Sequence, residues 1–148
     1  MKKIFIYYSE SGNGDIVANY LKEKGYDIEK IVAKPLPKAF FLKMMVGGFK
    51  ASIGYKDKIN ELEHDLNNYD EIIIGSPIWN GRLSSPIRGL LNKYDFNKKL
   101  DFILYSGSGE GKVAYNFIKK NYKNSNITFL KQPKNNNDEL NKISFKGE

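Results

Sequence analysis

Three short stretches hold the residue types that could grip a flat, anionic ligand. The first, Ser9-Glu10-Ser11-Gly12-Asn13-Gly14, sets two hydroxyls and two glycines just ahead of a helical pattern. Amides at a helix start point outward with the positive end of the helix dipole behind them, so such a loop can cradle a phosphate. Ser9 and Ser11 add hydroxyl donors, Gly12 and Gly14 let the backbone curl around a guest, and Asn13 tolerates left-handed geometry. The loop contains no lysine, so as a sequence it is a cradle without a cation, and Glu10 argues against free polyphosphate. A plain strand–helix turn would use the same residues. The second stretch, Pro77-Ile78-Trp79-Asn80-Gly81, carries the only tryptophan. An indole there suits stacking on a flat heterocycle, and Asn-Gly lets a peptide turn over at little cost. A core tryptophan beside an ordinary turn is the alternative. The third, Ser106-Gly107-Ser108-Gly109-Glu110-Gly111, offers amides and hydroxyls to the polar edge of a ring or to a polyhydroxyl chain.

The surrounding elements decide whether the three stretches can meet. The chain has 148 residues, 41% hydrophobic and 28% charged, which favours one domain over residues 1–148. Lys3 to Tyr8, Tyr26 to Val32, Glu71 to Gly75, Leu100 to Tyr105 and Asn126 to Leu130 read as five short apolar strands. Helical spacing follows the first loop at Ile16, Val17, Tyr20 and Leu21, with Gly25 placed to end it. Further helices are predicted from Ser85 to Tyr94, with Pro86 in the first turn, and around Val113, Phe117 and Ile118. Ile59, Leu62 and Leu66 predict a short amphipathic helix, and Asp138 to Ile143 another. Alternating strands and helices, with strands apolar on both faces, call for an α/β fold: a parallel sheet covered on both sides. The three stretches follow strands one, three and four, so they share the carboxyl end of the sheet, where such folds bind ligands.

Together these residues resemble the flavodoxin family. YYSESGNG is similar to its phosphate loop, and LYSGSGEG sits where its second flavin loop belongs. YDEIIIGSPIWNGRLSSPI is similar to the third-strand segment of a bacterial flavodoxin-like branch with a Pro-Ile-Trp run. The resemblance spans Lys2 to Leu130 and implies a doubly wound five-stranded sheet of order 2-1-3-4-5 in three layers. It implies non-covalent FMN, with phosphate on Ser9, Glu10, Ser11, Gly12, Asn13 and Gly14. Trp79, with Pro77 and Ile78, would lie against the isoalloxazine, the Asn80-Gly81 peptide near its N5, and Ser106, Gly107, Ser108, Gly109 and Glu110 at its pyrimidine edge. Gly14 departs from the family's usual hydroxyl residue, and Val113 stands where many flavodoxins place a second aromatic, leaving one ring face open.

The function so implied is electron transfer between redox partner proteins, with FMN cycling through oxidised, semiquinone and hydroquinone forms. A cation-free phosphate loop and Glu110 would lower the hydroquinone potential, whereas the net positive charge would raise it. A flavin-dependent NAD(P)H:quinone or small-acceptor reductase is the nearest rival. A flavin-free interaction or nucleic-acid-binding module is the third reading. The net charge of +7 gives that module weak support, because only Arg82 and Arg88 are arginines and the lysines are scattered. No run approaches the roughly 20 apolar residues of a membrane span, and Met1 to Tyr8 lacks the apolar length of a signal peptide. Zero cysteine excludes disulfides, thiolate metal sites and cysteine nucleophiles. A cytoplasmic oxidoreductase, monomeric or weakly dimeric, is expected. His64, between Glu63 and Asp65, reads as a surface residue on a short helix rather than a metal site. Lys34 to Lys58, with Pro35, Pro37, Gly47-Gly48 and Gly54 as breaks, leaves open whether Ala39 to Val46 is a core helix, a lid or a docking surface.

Overall fold

The computed structural model describes residues 1–33, 40–53 and 55–145. Pro35, Pro37, Ala39 and Gly54, read above as breaks or as part of an apolar run, lie outside the described residues. Strand β1 (Lys3–Tyr7) leads through helix α1 (Asn13–Glu23) to β2 (Asp27–Lys30), and α2 (Phe40–Ser52) follows. Then come β3 (Glu71–Trp79), the two-residue β4 (Arg82–Leu83), α3 (Ser85–Lys93), β5 (Leu100–Ser106), α4 (Lys112–Asn121) and β6 (Ile127–Lys131). The long strands run in the order β2-β1-β3-β5-β6, all parallel, which is the expected 2-1-3-4-5 arrangement.

The period of two along each strand splits the core into two layers. Ile4, Ile6, Ile72, Ile74, Leu100, Phe102 and Leu104 pack with Ile87 and Leu90 of α3 and Ile118 of α4. Phe5, Tyr7, Ile73, Ile103 and Tyr105 point the other way, onto Val17, Ala18 and Leu21 of α1. Beyond β6 the expected last helix is a 3-10 turn (Asn137–Lys142). It is followed by Ile143 and Phe145, which pack into the α1 layer.

Three expectations are corrected. The strand expected to stop at Gly75 continues to Trp79, because Ser76 and Pro77 keep pairing with Leu104 and Tyr105. The helix expected at Ile59, Leu62 and Leu66 does not form; only Leu66–Asn68 makes a 3-10 turn. Its amides go elsewhere: Leu62 N–H donates to the Tyr94 hydroxyl, and the N–H groups of Glu63 and His64 donate to Glu29 Oε1 at 2.6 and 3.1 Å. The three apolar side chains still reach the core, so their spacing reflects burial without a helix. Finally, α2 runs through Gly47-Gly48 instead of breaking there. Leu42, Met45 and Phe49 on it are 50%, 55% and 65% exposed, so this face is not core. Among the described residues no helix is long and apolar enough to cross a membrane.

Candidate functional site

Loop one links β1 to α1. Gly12, with φ of 94°, takes the N-cap position, and Gly14 N–H donates to Ser9 Oγ at 3.0 Å. That bond leaves the buried Ser9 hydroxyl with its proton to donate. Among the described residues, the N–H groups of Ser11, Gly12 and Asn13 have no acceptor in the protein. Three amides and a hydroxyl at a helix start are the donor set an anion needs.

The charges around this loop are organised from beneath. Asp15 accepts from the Tyr7 hydroxyl at 2.6 Å and from Lys30 Nζ at 2.9 Å. Burial works against its ionised form, but these donors outweigh it and hold the carboxyl below its ordinary range. The Tyr8 hydroxyl donates to Glu10 Oε2 at 2.7 Å. Burial first, and then the bonded carboxylates, push both phenols well above their ordinary value, so they stay protonated donors. Tyr105 donates to the Tyr8 carbonyl from full burial. The loop is also not free of cations, contrary to the expectation. Lys134, from the turn after β6, donates its backbone N–H to Asn13 Oδ1 at 3.0 Å and its ammonium to Ser11 O at 3.1 Å.

The second stretch is a hairpin, not a loop. Trp79 pairs with Arg82 and Ile78 with Leu83 across Asn80 and Gly81, whose φ values are 52° and 76°. Two successive positive φ angles are the signature of a type I′ turn, the one Asn-Gly favours. The Asn80 carbonyl accepts from Arg82 Nη1 at 2.9 Å, and Ala114 N–H donates to Gly81 O at 3.0 Å, so the corner is tied to α4. Beneath it the buried Ser76 and Ser84 hydroxyls meet at 3.0 Å. The third stretch closes on itself. Ser106 Oγ accepts from the N–H groups of Gly109 and Glu110 at 2.9 and 3.1 Å and donates to Glu110 O at 3.1 Å. The Ser106 hydroxyl and the Gly109 and Glu110 amides, expected at the polar edge of a ring, thus bond one another in this structure.

A cavity of about 370 Å³ lies between hairpin and third loop, walled by Ile78, Asn80, Gly81, Ser106, Gly107, Ser108 and Glu110, with Gly111 and Lys112. Its volume falls within the range of small-ligand sites, roughly 300–1,000 Å³. Seven of its walls come from the expected set. Pro77, Trp79 and Gly109 are not among them, nor is any residue of the first loop, Ser9 to Gly14. Trp79 is half-buried and stands edge-on to Tyr8, ring centroids 5.8 Å apart at 90°. A cavity of about 280 Å³ near Glu61, His64, Tyr94 and Lys98 lies at the amino ends of β3 and β5, the end where parallel sheets do not bind ligands. His64 lies in a bend and not on a helix, with Nδ1 3.3 Å from Glu29 Oε1. Among the described residues, no group of three or more His, Asp or Glu side chains is placed to hold a metal.

Residues 5–130 match the family model of NADPH-dependent FMN reductases. The chain belongs to that family. Like its flavodoxin-like fold, FMN as cofactor is thereby in agreement with the sequence reading, whereas membership favours the reductase rival over a pure electron carrier. This FMN reductase family member is also similar in fold to solved flavoproteins. A Lactobacillus acidophilus NCFM flavoprotein solved in complex with FMN is 22% identical, with 85% of this chain and 89% of that one covered and a TM-score of 0.70. A protein of Bacteroides eggerthii DSM 20697 assigned as a flavoprotein is 20% identical, with 86% and 84% covered and a TM-score of 0.67. One from Bacteroides uniformis ATCC 8492, also assigned as a flavoprotein, gives 21%, 85% of each chain and 0.62. No curated protein matches the sequence.

Proposed function

We propose that the protein is an FMN-dependent reductase that oxidises a reduced nicotinamide and passes the electrons to a small acceptor of the quinone type. The observation that carries this reading is the family match over residues 5–130. When bound, FMN supplies reversible hydride-level redox chemistry; the chain's own residues do the rest. The amides of Ser11, Gly12 and Asn13 and the Ser9 hydroxyl receive the phosphate, their positions held by the Gly14–Ser9 bond. Ile78 gives the ring cavity an apolar wall, and Asn80 and Gly81 supply a rigid corner with fixed dipoles. Glu110 and Lys112 face the same cavity, so its polar edge carries both signs of charge. The Pro77-Ile78-Trp79 run is our reading of the flavin-facing edge, with Tyr8 fixing the indole. At the start of α4, next to the cavity-lining Gly111 and Lys112, Val113 is 44% exposed and Tyr115 43%, in keeping with a ring face left open to a second substrate. The charge of +7 suits a polyanionic donor such as NADPH.

Anaerobic oxidation of NADPH by FMN-loaded protein, with and without a benzoquinone acceptor, tests this. Turnover that saturates in both substrates is expected. An FMN-loaded protein that dithionite reduces but NADPH does not is a carrier instead. The carrier reading has its own support in α2, whose exposed Leu42, Met45 and Phe49 would offer an apolar docking face.

A further inference from the structure

The turn after β6 touches two of the three candidate loops at once. Gln132 N–H donates to Ser106 O at 3.0 Å, and its side-chain amide donates to Gly107 O at 3.4 Å. Two residues on, Lys134 reaches back 121 residues to Asn13 and 123 to Ser11. Its side chain lies across Gly12: a methyl group there would meet Lys134 Cδ at 3.3 Å and Nζ at 3.5 Å. The turn holds this register although Gln132 adopts φ of 42°, a left-handed conformation unfavourable for a residue with a Cβ. Pro133 is buried and Asn135 N–H donates to Gln132 O, so the turn is anchored rather than draped.

An ammonium is a poor neighbour for a helix amino terminus, since both are positive. The hydrogen bonds of the nearby carboxylates go elsewhere, those of Asp15 to Tyr7 and Lys30 and that of Glu10 to Tyr8, so Asp15 offsets the Lys134 charge only through space. The ammonium donates to one neutral carbonyl, which occupies one of its three N–H donors. A phosphate in the cradle would relieve both positive ends together. We propose that Lys134 is a ligand of the FMN phosphate and makes the site select the phosphorylated flavin over riboflavin. The inference rests on the FMN reading above.

The test titrates apo protein with FMN and separately with riboflavin, following the quenching of flavin fluorescence, for wild type, Lys134→Gln and Lys134→Arg. Lys134 is exposed, so both variants should fold. Loss of a charge-assisted bond predicts roughly tenfold to a hundredfold weaker FMN binding in Lys134→Gln, with riboflavin unchanged. Lys134→Arg should keep most of the FMN preference, and added salt should erode it in wild type more than in Lys134→Gln. If Lys134→Gln weakens both flavins equally, the residue only positions the loop and the proposal fails. It also fails if neither affinity changes, or if arginine does no better than glutamine. Wild-type protein that binds no FMN at all would overturn the FMN reading itself, a result distinct from any of these.

Discussion

Gly14 illustrates how a departure from a family pattern in sequence can be explained by packing. It departs from the hydroxyl residue expected in a flavodoxin phosphate loop, which reads as a lost donor. A methyl group there would lie 2.5 Å from the Tyr105 hydroxyl and 2.8 Å from both Ser9 Cβ and the Tyr7 ring. The volume is already filled by a phenol that is 1% exposed and bonded to the Tyr8 carbonyl, so no side chain fits. Gly14→Ser, the change that restores the family pattern, should therefore destabilise the protein by about 1–3 kcal/mol through overpacking. It should weaken FMN binding instead of improving it. Urea midpoints and an FMN titration check both, and Tyr105→Phe in the same chain should recover part of the lost stability by removing the closest atom. A Gly14→Ser variant that binds FMN more tightly would show that the loop can open to admit a hydroxyl. Lys134 is the opposite case: nothing local marks it, because its partner loop is 123 residues away and only the folded sheet brings them together.

Among the elements, the strands were legible because a sheet buried on both faces needs apolar runs, and Ile72-Ile73-Ile74 supplies one. The hairpin was not legible. Ser76 and Pro77 are turn formers by type, yet in β3 the Ser76 hydroxyl is satisfied by Ser84 and the Pro77 carbonyl, and Pro77 stays in register with Tyr105. Local preference lost to tertiary pairing. What remains of the turn is Asn80-Gly81 alone, with both φ angles positive. Gly81→Val should cost about 1–2 kcal/mol, since a left-handed conformation is unfavourable for any residue with a Cβ. The hairpin walls the cavity and anchors the start of α4 through Ala114, so ring binding should fall with it. Riboflavin affinity is the discriminating measurement. A loss shared by riboflavin and FMN locates the damage at the ring, whereas unchanged riboflavin affinity would mean the hairpin does not shape that part of the site.

For the molecule as a whole, tyrosines sit where carboxylates tie the sheet together. The Tyr26 hydroxyl donates to Glu71 at 2.7 Å and the Tyr69 hydroxyl to Asp27 at 2.6 Å, which bolts β2 to the base of β3. Burial, followed by these acceptors, pushes Tyr26 up and Tyr69 to about 12. Tyr7, Tyr8, Tyr105 and Tyr122 are also raised, in each case chiefly by burial. An unfolded chain would release these protons near pH 10, while the folded one keeps them. The stability they contribute is thus complete below about pH 10 and is lost as pH rises from there through the folded values. The same range takes the chain past its isoelectric point near 9.4, so it no longer has the positive surplus it carries at neutrality. Thermal midpoints should be insensitive to pH between about 7 and 9 and should drop above about 10. The tyrosinate absorbance owed to these six residues should then appear together with unfolding. If it rises instead while the far-ultraviolet signal of the folded protein is intact, the fold does not hold these phenols protonated and the bolting of β2 is wrong.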